Sequence, residues 1–416
     1  MMTPDRGYGP FPKRRGRGNV LTYFLTAALG AGLGTVLLLA LTDSDSSGAT
    51  LLGGHGAPAP AGSAPPALKS QKDIVAKVKP GVVIINTMLQ YDSEAAAGTG
   101  VVLKSDGLVL TNNHVIQDST SITATVPGTG KTYSAHVLGY DKTGDIALIQ
   151  LQSASGLTTV PVGNSSSVKP GDPVVALGNA NGENAVITAA GQVTQVGQTI
   201  TASDDAGSNS TETLHGMIQT NADIVAGDSG GPLSSSGGVI GMDTAGNSPS
   251  SQQQATGFAI PINTALSIAR QITANRGSAT VAIGYPGFMG IFIGSGSNSN
   301  PKDQAKRQQQ QQQPAGSSGT PPCSTSNAGL SAPPAIAPVS SGVLIDGSIC
   351  GSPAAEAGMT SGAVITAVNG RTVGSPDDLN GVLSRFHPRD RISVTWVSPA
   401  GRRTTSRVRL SAGPPQ

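Results

Sequence analysis

The sequence predicts a mainly β protein: two globular β-rich domains preceded by one membrane-spanning helix. Three observations predict this. Short runs rich in Val and Ile, such as GVVIINTML and GDIALIQL, are separated by Gly- and Asp-containing turns, the pattern of sandwich or barrel strands. Two Ser-, Gly-, Ala- and Pro-rich stretches divide the 416-residue chain into separate globular parts. One apolar run without a charge, Val20 to Leu41, stands near the N-terminus.

Taken in order, residues 1–19 form a basic tail, with Arg6, Lys13, Arg14, Arg15 and Arg17 against the single acid Asp5. Residues 20–41 follow as a helix. At about 1.5 Å per residue it spans roughly 33 Å, enough for a bilayer core of about 30 Å. The run is longer than a signal-peptide core and no A-x-A-like site follows it promptly, so an uncleaved anchor is expected. The basic flank stays in the cytoplasm and everything after Asp43 is exported, which predicts a single-pass plasma membrane protein with its domains outside. Residues 42–67 read as a flexible linker.

Residues 68–276 form the first domain. It closes on a helix, NTALSIARQITA, Asn263 to Ala274, whose Ala265, Ile268, Ala269 and Ile272 share one face. Residues 281–413 form the second. A low-complexity insertion at about 295–338 interrupts it and includes the run Gln308 to Gln313.

Bulk properties narrow the function. A net charge of +2 gives no case for nucleic acid. The five histidines are scattered and the two cysteines form no C-x-x-C, so no metal is expected. PGTGKT, Pro127 to Thr132, lacks a phosphate loop's first glycine, because Thr125 stands there; a hairpin turn is the reading. No cofactor is implied.

The most informative stretch is GDSGGPL, Gly227 to Leu233. A serine hydroxyl is a poor nucleophile. It needs an imidazole to take its proton, a carboxylate to orient that imidazole, and donors aimed at the oxyanion. Glycines around Ser229 permit a tight turn whose N–H groups point at one spot. The base candidate is His114, in TNNHV after the apolar run LVL. The orienting acid is Asp145, in GDIAL, with Asp141 nearby as the other acid. The order His, Asp, Ser is that of the chymotrypsin fold.

With these motifs on the page, the chain resembles the HtrA (Deg) family of trypsin-like serine proteases with PDZ domains. The resemblance runs from about Asp73 to Ala274 and again from about Phe288 to Leu410. It is carried by VKPGVVII, GTGVVLKSDGLVLTNNHVI, GYDKTGDIALIQL, GDPVVALGNANG, IQTNADIVAGDSGGPL and GFAIPINTA, in family order. It implies a chymotrypsin/trypsin-like double β-barrel protease domain plus a PDZ domain. By motif, His114 is general base, Asp145 orients it and Ser229 attacks the peptide carbonyl, while Gly227, Asp228 and Ser229 form the oxyanion turn. Protein or peptide substrates and a homotrimer are implied; the short loop from Tyr91 to Ala97 argues against a large cage.

Three further expectations concern departures and details. The acid before the nucleophile, Asp228, has no freed N-terminus to pair with, so the domain itself must hold it or the turn stays disordered. Asp223, six positions before Ser229, stands where trypsin carries the acid of its primary specificity pocket. GFMGIFI resembles a PDZ carboxylate loop and strand, which assigns Phe288, Met289, Gly290 and Ile291 to binding C-terminal peptides by strand addition. Cys323 and Cys350, if exported, suit a disulfide rather than two free thiols. Two functions stand against each other: an anchored endopeptidase of unfolded, misfolded or regulatory proteins, and a PDZ chaperone or scaffold in which binding is the main role.

Overall fold

Successive side chains of a strand point to opposite faces, so a strand covered on both sides reads as an unbroken apolar run. Val82 to Ile85 is such a run. Val82 and Ile84 join a cluster shared by both halves of the first domain, while Val83 and Ile85 join one built from its N-terminal half. Leu108 and Leu110 divide from Val109 in the same way, as do Ile146 and Leu148 from Ala147 and Ile149. In the C-terminal half, Val175 and Leu177 enter the shared cluster, and Val174 and Ala176 a third one.

A computed structural model, describing residues 67–89, 94–203, 211–247, 256–293, 323–325, 333 and 335–415, gives the architecture behind this division. Helix α1 (Ala67–Val78) leads into strands β1 (Val82–Leu89), β2 (Glu94–Lys104) and β3 (Leu108–Thr111), then helix α2 (Asn113–Ile116). Strands β4 (Ser121–Val126), β5 (Lys131–Asp141) and β6 (Ile146–Leu151) complete an antiparallel sheet that the β5–β6 pairing closes. A second closed barrel contains β7 (Pro173–Gly178), β8 (Ile187–Ser203), β9 (Thr211–Thr220), β10 (Pro232–Ser235), β11 (Gly238–Asn247) and β12 (Thr256–Pro261). Each barrel thus has an interior, and the shared cluster joins the two. Ile74 and Val78 of α1 seal that cluster, with Ile262, Ala265, Ile268, Ala269 and Ile272 of helix α3 (Ile262–Thr273). The apolar face expected for this last helix is the buried one.

The expected start of the second domain at residue 281 is corrected. Strand β13 (Val281–Ile283) pairs antiparallel with β5 and so extends the first barrel's sheet. Gly284 N–H also donates to Leu138 O, and Val137 N–H to the Tyr285 hydroxyl. The second domain therefore begins near Gly287. Its strands are β14 (Gly287–Phe288), β15 (Ile291–Phe292), β16 (Val343–Leu344), β17 (Gly347–Ser348), β18 (Val364–Val368), β19 (Arg371–Thr372), β20 (Arg391–Val397), β21 (Arg403–Arg409) and β22 (Ser411–Ala412). Helices α4 (Pro353–Glu356) and α5 (Pro376–Leu383) each start at a serine, Ser352 and Ser375, whose side chain caps an N–H of the first turn. The low-complexity insertion lies between β15 and β16.

Cys323 and Cys350 form a disulfide with 4.9 Å between Cα atoms. It holds the end of the insertion against the β17 edge, where Ser324 N–H donates to Ser348 O and Cys350 N–H to Ser324 O. The basic tail, the expected membrane helix Val20–Leu41 and the linker to residue 66 lie outside the described residues. Among the described residues no helix is long and apolar enough to cross a membrane.

Candidate active site

Strand β3 delivers the chain to Asn112, which is extended, and the single turn of α2 then presents His114 at its second residue. His114 is 26% exposed and Asp145, on the turn into β6, is 1% exposed. His114 Nδ1 lies 3.0 and 2.9 Å from the two carboxylate oxygens of Asp145. The backbone N–H of His114 donates to Oδ1 at 3.1 Å. A carboxylate only accepts, so Nδ1 carries the proton and Nε2 is left as the basic nitrogen. Two further contacts fix the acid: Asn112 Nδ2 donates to Asp145 O at 2.8 Å, and the Thr244 hydroxyl donates to Oδ2. Asp141 is otherwise engaged, accepting from Gly144 N–H and the Thr280 hydroxyl, each at 3.1 Å. The acid in contact with His114 is thus Asp145 rather than Asp141.

Ser229 reaches the same place from the second barrel. Its Oγ donates to Thr244 O at 3.2 Å. Thr244 on β11 therefore touches the serine through its carbonyl and the acid through its hydroxyl. No motif marks Thr244 in the sequence, because its role comes from β11 lying beside the nucleophile turn.

That turn admits a complete account of its peptide groups. Ala226 O accepts from Asn181 N–H at 2.7 Å, Gly227 O from the Thr99 hydroxyl at 2.7 Å, Asp228 O from Gly231 N–H at 2.8 Å and Ser229 O from Thr99 N–H at 2.8 Å. Asp228 N–H donates to Val225 O and Gly230 N–H to Asp243 O. Among the described residues the N–H groups of Gly227 and Ser229 have no acceptor. In a trans peptide the N–H points away from the C=O, so tying down each carbonyl directs the N–H across from it. Gly227 has φ +93°, and a Cβ there would sit 2.2 Å from Asn179 O. Only glycine fits.

Residues 98–242 match the trypsin-like peptidase domain family and residues 345–397 the PDZ domain family. Serine protease PepD of Mycobacterium tuberculosis is 28% identical over 98% of this chain and 81% of its own length. The periplasmic pH-dependent serine endoprotease DegQ of Escherichia coli is 30% identical over 71% of this chain and 55% of its own. The periplasmic serine endoprotease DegP of the same organism is 31% identical over 69% and 51%. The chain therefore spans about half the length of these two relatives. Of solved structures, the HtrA-type protease AlgW with a tripeptide aligns over 83% of this chain and 98% of its own, at 23% identity and a TM-score of 0.43.

The chain pairs a trypsin-like peptidase domain with a PDZ domain, the pairing that the HtrA resemblance implies. It is a trypsin-like serine endopeptidase with a PDZ domain.

In this protease the acid before the nucleophile is held within the domain. Asp228 is buried and its Oδ2 accepts from Val225 N–H at 3.0 Å. Burial pushes its pKa up to about 6; the Val225 N–H opposes this and the charge of Asp223 adds to it. Behind it stands Asp243 of β11, fully buried, with neither carboxylate oxygen partnered among the described residues. Burial, and then Asp228, hold the Asp243 pKa well above the usual 3.8. Sequence reasoning missed Asp243, since nothing local marks a strand residue that faces another acid. Asp223, the candidate for the specificity pocket, is exposed.

At the PDZ loop, Phe288 ends β14, Met289 is buried and Gly290 takes φ +73° before Ile291 opens β15. Met289 O accepts from Ala354 N–H, and Gly290 O from Ile349 N–H and the Ser352 hydroxyl. The N–H groups of Met289 and Gly290 have no acceptor among the described residues. Ile291, Ile293, Leu383 and Phe386 are partly buried beside the domain core. Among the described residues no group of His, Cys, Asp and Glu could hold a metal ion.

Proposed function

We propose that this chain is a membrane-anchored HtrA-family endopeptidase that hydrolyses unfolded, misfolded or regulatory proteins on the extracytoplasmic side, with its PDZ domain taking their C-terminal peptides. His114, Asp145 and Ser229 are the catalytic residues. The double contact of Thr244 carries this reading, because it brings the serine and the His-bound acid from two barrels to one strand residue.

Chemistry follows from the arrangement. His114 Nε2 takes the proton from Ser229 Oγ as Oγ bonds to the substrate carbonyl carbon. The carbonyl oxygen becomes an oxyanion and receives the free N–H groups of Gly227 and Ser229. Collapse breaks the C–N bond, and the imidazolium returns its proton to the leaving amine. Water then enters by the same route, releasing the acid from the acyl ester and restoring the hydroxyl.

Protein quality control is the role that fits an HtrA protease with a peptide-gripping domain. Anchoring rests on Val20–Leu41 and its basic flank. Export accords with the Cys323–Cys350 disulfide and with relatives described as periplasmic. The PDZ role is supported by the unspent Met289 and Gly290 N–H groups, which suit a carboxylate. A homotrimer remains part of the reading, to be settled by light scattering of the solubilised chain.

Casein digestion by the full chain in detergent tests the enzyme reading. Ser229→Ala is expected to lower turnover by about 10⁴–10⁶-fold. A parent chain that binds unfolded casein without cutting it would favour the scaffold instead.

A further inference from the structure

Thr99 lies on β2 of the first barrel, fully buried, yet most of its polar groups face the second barrel. Its N–H donates to Ser229 O at 2.8 Å. Its hydroxyl donates to Gly227 O at 2.7 Å and accepts from Asn179 N–H at 2.9 Å. From behind, the Thr111 hydroxyl donates to Thr99 O at 2.7 Å. Thr111 is the last residue of β3, three positions before His114.

The bond to Gly227 O falls between the two unspent donors and the bond to Ser229 O just beyond the second. Gly227 has no Cβ to restrain it, so rotation of its flanking peptides costs little side-chain clash. A flip of the 226–227 peptide would withdraw the Gly227 N–H and put a carbonyl in its place. Asn181 N–H on Ala226 O opposes that flip directly, and the Thr99 hydroxyl on Gly227 O fixes the adjoining 227–228 peptide, which holds the glycine from its other side. The hydroxyl also holds Asn179, two residues before Asn181, so one oxygen ties together both segments that pin the glycine. The Thr99 N–H pins the far side of Ser229. The approach is close, since a Cβ at Gly230 would lie 2.0 Å from Thr99 O.

We propose that Thr99 is the positioning residue of the anion pocket: it clamps the nucleophile turn across the barrel interface so that the Gly227 and Ser229 N–H groups face the developing oxyanion. This rests on those two groups being the oxyanion donors. A valine has the same shape and keeps the backbone bond but can neither donate nor accept through its side chain. A serine keeps both functions of the hydroxyl.

The test compares the full chain with Thr99→Val and Thr99→Ser on a fluorogenic peptide and on a peptide boronate, which needs the anion pocket for its tetrahedral adduct. Thr99→Val is expected to lower kcat by about 10–100-fold with KM little changed, and to weaken boronate binding in proportion. Thr99→Ser is expected to restore both to within about threefold of the parent. If Thr99→Val does not fold, Thr99→Ala replaces it with the same expected outcomes. Unchanged kcat in the hydroxyl-free variant, or equal damage in Thr99→Ser, overturns the clamp. A parent that fails to bind the boronate at Ser229 overturns the underlying assignment of the donors as well.

Discussion

Asp145 and Asp243 show how differently one residue type behaves in two buried settings. The carboxylate of Asp145 accepts from His114 and Thr244, and the chain turns at φ +48° to place it there. Asp243 has no such partner among the described residues and faces Asp228. Both members of that second pair have raised pKa values, so the folded chain holds their protons more tightly than the unfolded chain does. Their contribution to stability is therefore fully present below about pH 4 and is lost as pH rises through the folded values. That value is about 6 for Asp228, and the Asp243 carboxyl lies well above its usual range. The other charged group acting on the pair is Asp223. Asp243→Asn is expected to shrink the fall in thermal midpoint between about pH 5 and pH 8, by about 2–4 °C for each kcal/mol relieved. An unchanged difference would show that Asp243 does not titrate there. His114, Asp145 and Ser229 were legible in the sequence because each sits in a local motif with a stated chemical need. Asp243, Thr244 and Thr99 were not, because their roles come from strands meeting across long separations.

At the scale of elements, apolar runs announced the strands well. They could not announce which face serves which core, since Val82 to Ile85 is divided between two clusters only by barrel closure. Helix α3 was legible to within one residue at each end because its buried face has helical spacing. Strand β13 was not, being three residues long and defined by pairing with β5, about 140 residues earlier. The nucleophile turn is the element on which catalysis rests. Gly227→Ala would force a Cβ against Asn179 O at a φ that side chains rarely adopt. Its kcat is expected to fall by at least about 10²–10³-fold, the value of one lost oxyanion donor. Peptide affinity of the PDZ domain, measured by fluorescence polarisation, should stay at the parent value. Retained kcat would mean that Gly227 N–H is not a donor to the oxyanion.

At the scale of the whole molecule, the C-terminal segment joins parts distant in sequence. Strand β22 pairs with β14, Gly413 N–H donates to Pro286 O, and Asp118 N–H, just beyond the His114 helix, donates to Pro415 O at 2.8 Å. The segment after the last PDZ strand thus touches the protease domain, a contact that no pattern in the sequence foretells. The disulfide closes a separation of 27 residues. In the chain-entropy account such a closure is worth about 3–4 kcal/mol. The Cys323→Ser/Cys350→Ser chain is expected to lose a PDZ unfolding transition at its parent temperature in calorimetry while keeping its kcat on a short peptide. An unshifted transition would place the bridge outside the cooperative unit. Everything in the functional account depends on Ser229 being a nucleophile activated by His114. Reaction of the folded chain with diisopropyl fluorophosphate, followed by peptide mass mapping, tests this most directly. One adduct on Ser229, absent after unfolding and strongly slowed in His114→Ala, is the predicted result; a folded chain that stays unmodified, or labels equally fast without His114, would contradict it.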